Sequence, residues 1–132
     1  MKYYIVIMLA ALIASCSSND VSEQEQFKAY IKKNGFDVPE STEHYIVLTP
    51  KTCLACSKGI ADNYEQMLNK DNIVVLLSGK EHFPEKMLAI LEGKPNVFWD
   101  NSGNLERQAF TKGGTVVISN TPEKYSNTIL KP

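Results

Sequence analysis

The sequence predicts an α/β protein built on one mixed sheet, with parallel central strands and an antiparallel pair closing it. Two continuous apolar runs rich in β-branched residues, HYIVLT (44–49) and NIVVLLS (72–78), have the pattern of strands buried on both faces. An amphipathic stretch separates them and another follows the second run, so strands and helices alternate, as parallel sheets with right-handed crossovers require. The chain then runs into two further strand-like segments, TVVIS (115–119) and YSNTIL (125–130), joined by the short turn NTPE. A tight turn can connect only antiparallel neighbours.

Taken in order, SSNDVSEQEQ is polar and without apolar period, as a tether is. A helix grows out of its end. Ser22 and Glu25 have capping-box spacing, Phe27, Tyr30 and Ile31 share one face, and Asn34-Gly35 supplies the stop. FDVPEST is a loop, and Pro50 ends the first strand. Beyond Cys56, the residues Ile60, Tyr64, Met67 and Leu68 recur at helical spacing until Asn69 or thereabouts. After the second strand, Pro84 suits the first turn of another helix, which carries Met87, Leu88 and Leu91 to Gly93. NVFWD (96–100) is a short strand closed by the turn NSGN, and Phe98, Trp99 and Phe110 read as core. There is no internal repeat and no low-complexity segment.

The start of the chain has a different character. Lys2 is its only charge before Asp20, and the apolar run from Tyr3 to Ile13 is shorter than the ~20 residues a membrane-spanning helix needs. A positive start, a short apolar stretch and small residues before a cleavage point describe an export signal. Ile13-Ala14-Ser15-Cys16 resembles the lipobox of bacterial lipoproteins. That resemblance implies a signal peptide over 1–15, a polar tether over 16–24 and one domain over 25–132, with Cys16 diacylated and N-acylated. Several acyl chains on one residue anchor stably where a single chain does not. The competing readings are an ordinary cleaved signal and a membrane-resident first helix. Ser17 is unlike an inner-membrane retention signal, so the expected location is the bacterial cell envelope, at the outer membrane. A net charge of −1 with no block of like charge argues against nucleic acid as a partner.

Three cysteines are an odd number for an exported chain. With lipid on Cys16, Cys53 and Cys56 remain as a CxxC pair between a buried strand and a helix start. Unpaired N–H groups and the helix dipole there favour a thiolate at Cys53, with Lys51 and Lys58 adding to the effect. Cys56 is spaced to resolve a mixed disulfide formed at Cys53. A structural staple is the second reading, although so small a loop constrains the unfolded chain little. A soft-metal clip for copper(I) or zinc is the third, for which His44 and His82 are the available nitrogen donors. Both histidines read as solvated surface groups. SGKE lacks the earlier glycine of a phosphate loop, and two scattered histidines make no Ser/His/Asp set.

A strand, then CxxC, then a helix inside a β-α-β pattern with a two-strand finish resembles the thioredoxin family. Within it, the chain looks most like small thioredoxin-like lipoproteins of Bacteroidetes-type bacteria, and the resemblance covers roughly residues 27–118. It implies a trimmed thioredoxin-like three-layer sandwich without the terminal helix. It also implies thiol–disulfide exchange with partner protein thiols or disulfides, with Cys53 attacking and Cys56 resolving, and no cofactor beyond the disulfide itself. Several positions depart from the family pattern. No tryptophan precedes Cys53, and Leu54-Ala55 replaces Gly-Pro between the cysteines. Val47 stands near where the family buries an acid, and Gly113-Gly114-Thr115 stands where it has a cis-proline. A non-catalytic accessory lipoprotein that keeps the fold is therefore the alternative.

Overall fold

The structure is a computed structural model that describes residues 22–50, 59 and 62–130. Its elements are α1 (Glu23–Lys33), β1 (His44–Leu48), a π turn (Tyr64–Leu68), β2 (Ile73–Ser78), α2 (Glu85–Leu91), β3 (Val97–Asp100), β4 (Val116–Asn120) and β5 (Tyr125–Ile129). Short 3-10 turns lie at Lys80–His82, Leu105–Arg107 and Ala109–Thr111. The strands form one sheet in the order β3-β2-β1-β4-β5. β1, β2 and β3 are parallel, while β4 runs antiparallel to both β1 and β5. The mixed sheet predicted from the sequence is present, with strand ends falling within one residue of the expected ones. β1 is central, as its unbroken apolar run required.

Because β2 and then β3 extend the sheet in one direction from β1, two right-handed crossovers place their helices on the same face. That face buries Leu48, Val75, Leu77 and Val97 under Tyr64, Leu68, Phe83, Met87 and Leu91. The opposite face buries Tyr45, Val47, Val74, Leu76, Val116 and Ile118 under Phe27 and Tyr30 of α1 and under Leu105 and Phe110 of the 3-10 turns. The two sets alternate along each strand, as pleated backbone demands. Phe27 is the hub of the second layer, with ring centroids 4.8 Å from Tyr45, 5.2 Å from Phe110 and 6.5 Å from Tyr125. Phe110 is fully buried, whereas Phe98 and Trp99 pack partly exposed against opposite faces.

α1 is capped as its sequence indicates. Ser22 Oγ accepts the Glu25 N–H at 3.3 Å, acidic residues occupy the first turn and Lys32 and Lys33 the last. Asn34 closes the helix and Gly35, at φ +64°, turns the chain out of it. The helix takes in Glu23 and Gln24, the last two residues of the stretch read as tether, and both are tied to the far strands. Tyr125 Oη and Asn127 Nδ2 donate to Glu23 Oε1 at 3.0 and 2.9 Å, and Gln24 Nε2 donates to Asn120 Oδ1 at 3.0 Å.

The helix expected to run on to Asn69 differs in kind. Gly59 and Asp62 are helical, but Tyr64–Leu68 is a π turn, closed by the Asn69 N–H on the Tyr64 carbonyl at 2.9 Å. Asn96, just before β3, supplies the reason. Its Nδ2 donates to the carbonyls of Leu68 and Ile73 at 2.7 and 3.0 Å, and its Oδ1 accepts from Tyr64 Oη. Holding Leu68 from outside, Asn96 supports the wider turn while Tyr64 and Leu68 both stay buried.

β5 is an outer strand. The Leu130 N–H bonds the Thr115 carbonyl at 2.8 Å, and alternation from there turns the Asn127 carbonyl away from β4. Lys112 Nζ caps that carbonyl at 3.0 Å, from a left-handed Lys112-Gly113 turn with φ +51° and +69°.

Candidate functional site

Cys16, Cys53 and Cys56 lie outside the described residues, so what the structure supplies is the frame around the CxxC segment. Two residues lie between Pro50 and Cys53, so three peptide steps keep their Cα atoms within about 11 Å of one another. The frame is therefore the carboxyl end of the parallel strands. At that end, β1 has the parallel β2 on one side and the antiparallel β4 on the other. Sheets of this kind place their ligand chemistry beyond the carboxyl ends, where the topology switches.

Four buried polar side chains gather along this edge: Thr49, Ser78, Asp100 and Thr115. Ser78 lies opposite Asp100 in the β2–β3 register. Ser78 Oγ and Thr115 Oγ1 have no hydrogen-bond partner among the described residues. Thr115 directly precedes Val116, whose partner on β1 is Val47, so it stands beside the end of β1 from which the CxxC segment departs.

Asp100 is the residue here that pattern reading missed. Tyr30 Oη donates to its Oδ2 at 2.5 Å and the Leu105 N–H to the same oxygen at 2.8 Å. The Ser102 N–H donates to Oδ1 at 2.8 Å, and Ser102 Oγ donates there as well. Burial alone would raise the carboxyl pKa, but hydrogen bonds from Ser102, Tyr30 and the Ser102 and Leu105 backbones outweigh it, and the group is held below its ordinary value. The phenol of Tyr30 is pushed far up, first by burial and then by the Asp100 carboxylate it donates to. A carboxylate with four donors around it is a stable anion that ties α1 to the end of β3; it is not poised to move protons. The Asp-Asn-Ser-Gly run was its sequence signal, since Asp accepting from a backbone N–H two residues on is a turn former.

His44 and His82 separate clearly. His44 is half-buried, and its Nδ1 lies 2.9 Å from Ser119 Oγ on β4, so it is a strand-pairing residue and not the solvated group expected. His82 is a surface residue, its Nε2 3.4 Å from Glu81 Oε1 and 3.6 Å from Glu106 Oε1. One sits at the amino end of β1 and the other beyond the carboxyl end of β2, across strands about 16 Å long at ~3.3 Å per residue. They cannot complete one zinc site together. Among the described residues, no three His, Cys, Asp or Glu side chains gather to hold a metal ion.

An open cleft of about 300 Å³ lies at the amino ends, lined by Pro39, Ser41, Lys70, Asp71, Pro95 and Asn96. It is at the far end of the sheet from the CxxC segment, and both ends of the Asn96 amide are already bonded. Among the described residues, no helix is long and apolar enough to cross a membrane. No family model, curated protein or solved structure matches the chain.

Proposed function

We propose that the chain is a lipid-anchored protein of the bacterial cell envelope, held at the outer membrane through Cys16, whose thioredoxin-like domain exchanges disulfides with partner proteins through Cys53 and Cys56. The observation that carries this reading is the place of the pair. It follows the central strand at the junction of the parallel and antiparallel halves of the sheet, ahead of a helical segment. The thioredoxin-like reading draws support from β1, β2, β4 and β5, which have the two parallel central strands and antiparallel finish that the resemblance implies.

In the proposed reaction the Cys53 thiolate attacks one sulfur of a partner disulfide. The partner S–S bond breaks, its other sulfur leaves as a thiolate and takes a proton from water. Cys56 then gives its proton to water and attacks the Cys53 sulfur, releasing the second partner thiolate. The Cys53–Cys56 pair loses two electrons and the Cys56 proton, the partner gains two electrons and one proton, and the charge that began on Cys53 leaves on the second partner thiolate. Run backwards, the same steps oxidise a partner.

Glutathione titration of the mature chain carrying Cys16→Ser tests the reading. A reduction potential of about −120 to −270 mV marks a working exchanger, whereas one well below about −300 mV marks a structural disulfide and rules the exchange out. Cys53→Ser abolishes turnover if the assignment of roles is right, and Cys56→Ser accumulates the mixed disulfide. A non-catalytic accessory role is the second reading, favoured by one observation. Val47 is fully buried in aliphatic and aromatic core where the family places its acid, and Gly113-Gly114 precede β4 where it places its proline. A pair that forms no disulfide but retains copper(I) through gel filtration points to a soft-metal carrier.

A further inference from the structure

The domain is tied to its N-terminal tether at one end of the sheet and sends out the cysteine segment at the other. α1 starts with side-chain bonds from Glu23 to Tyr125 and Asn127 and from Gln24 to Asn120. The Asn120 N–H in turn donates to the Glu43 carbonyl at 2.8 Å, immediately before β1. These groups cluster toward the amino end of the parallel strands. The CxxC segment departs from Pro50, beyond the carboxyl end of β1. From Glu43 to Pro50 the chain rises about 23 Å at ~3.3 Å per residue.

If Cys16 carries lipid, only six peptide steps join the membrane surface to Ser22. They span at most about 22 Å fully stretched, and about 13 Å as a flexible coil. A domain of about 110 residues has a radius of gyration near 13 Å, and so a diameter of roughly 34 Å. Turning the cysteine end toward the bilayer would lift the amino end of β1, to which Glu23 and Gln24 are tied, about 23 Å above it, more than the tether spans even at full stretch. We infer that the domain stands with the amino end of β1 toward the membrane and the carboxyl ends of β1, β2 and β3 away from it. The protein it exchanges disulfides with is then a soluble protein or a projecting domain, not a membrane-embedded one. This inference rests on the lipid-anchor reading.

Energy transfer to the membrane surface tests it. The lipidated mature chain, carrying Cys53→Ser and Cys56→Ser, is placed in vesicles that contain a short-range acceptor on the lipid headgroups. A donor is attached either through Glu123→Cys in the exposed β4–β5 turn or through Glu81→Cys in the exposed turn after β2. Transfer several-fold stronger from position 123 is expected. Equal transfer, or stronger transfer from position 81, overturns the orientation while leaving the anchor intact. Vesicles that hold the lipidated chain no better than a Cys16→Ser chain overturn the anchor, and the orientation with it.

Discussion

Replacing Asp100 with Ala costs the protein about 3–5 kcal/mol, because the buried Tyr30 Oη and Leu105 N–H lose their acceptor at about 1–3 kcal/mol each and the exposed Ser102 turn loses its tie as well. In a domain of this size that lowers Tm by roughly 15–30 °C, readable by circular dichroism. Asp100→Asn is nearly as damaging. Each carboxylate oxygen accepts from a fixed backbone N–H, so whichever oxygen becomes NH₂ faces a donor with no room to rotate away. Tyr30→Phe removes one donor only and costs about 1.5–3 kcal/mol, as expected for a hydrogen bond to a charged group. A loss below about 1 kcal/mol for Asp100→Asn would contradict the anchoring role.

The same group sets an acid dependence. Its folded-state pKa lies below the unfolded value, so the unfolded chain binds the extra proton first. The stabilisation is complete above the unfolded pKa of about 3.9 and disappears as pH falls through the lower, folded value. Tyr30 works in the other direction. Its raised pKa gives a contribution that is full below about pH 10 and is lost as pH rises through the folded value. Stability measured against pH therefore falls less steeply on the acid side in Asp100→Asn than in the parent.

Phe27→Ala is the second large effect, at about 3–5 kcal/mol for an emptied aromatic site. Phe27 is 1 % exposed and packs edge-on against both Tyr45 of the sheet and Phe110 of the last 3-10 turn. Its loss opens the layer in which α1, β1 and that turn meet. Phe27→Leu, closer in volume, costs less than about 1.5 kcal/mol if the neighbours repack. The difference is measured as a shift in urea midpoint, and equal midpoints for the two variants would mean that the ring contacts contribute little.

Local chemistry was legible and distant pairing was not. Ser22, Asn34 and Gly35 mark the ends of α1 because capping depends on residues within a turn of each other. β1 and β2 announce themselves because a strand covered on both faces must be apolar throughout. By contrast, the Asp100–Tyr30 bond joins positions 70 residues apart, and no local pattern encodes it. Asn96 read as the first residue of a strand, yet its amide shapes the π turn 28 residues earlier. His44 read as solvated because Ser119 joins it only through the β1–β4 register. At the site, CxxC was visible from its spacing, whereas the buried hydroxyls of Ser78 and Thr115 emerge only when three strand ends are brought side by side.

The Lys112–Asn127 contact bears on whether such molecules can join edge to edge. An outer strand with bare carbonyls is a template on which a neighbour can continue the sheet. On β5 the middle one of those carbonyls is taken by an ammonium group, which an incoming strand would have to displace. Copies that meet edge to edge thus find a charged obstacle where a polymer would otherwise begin.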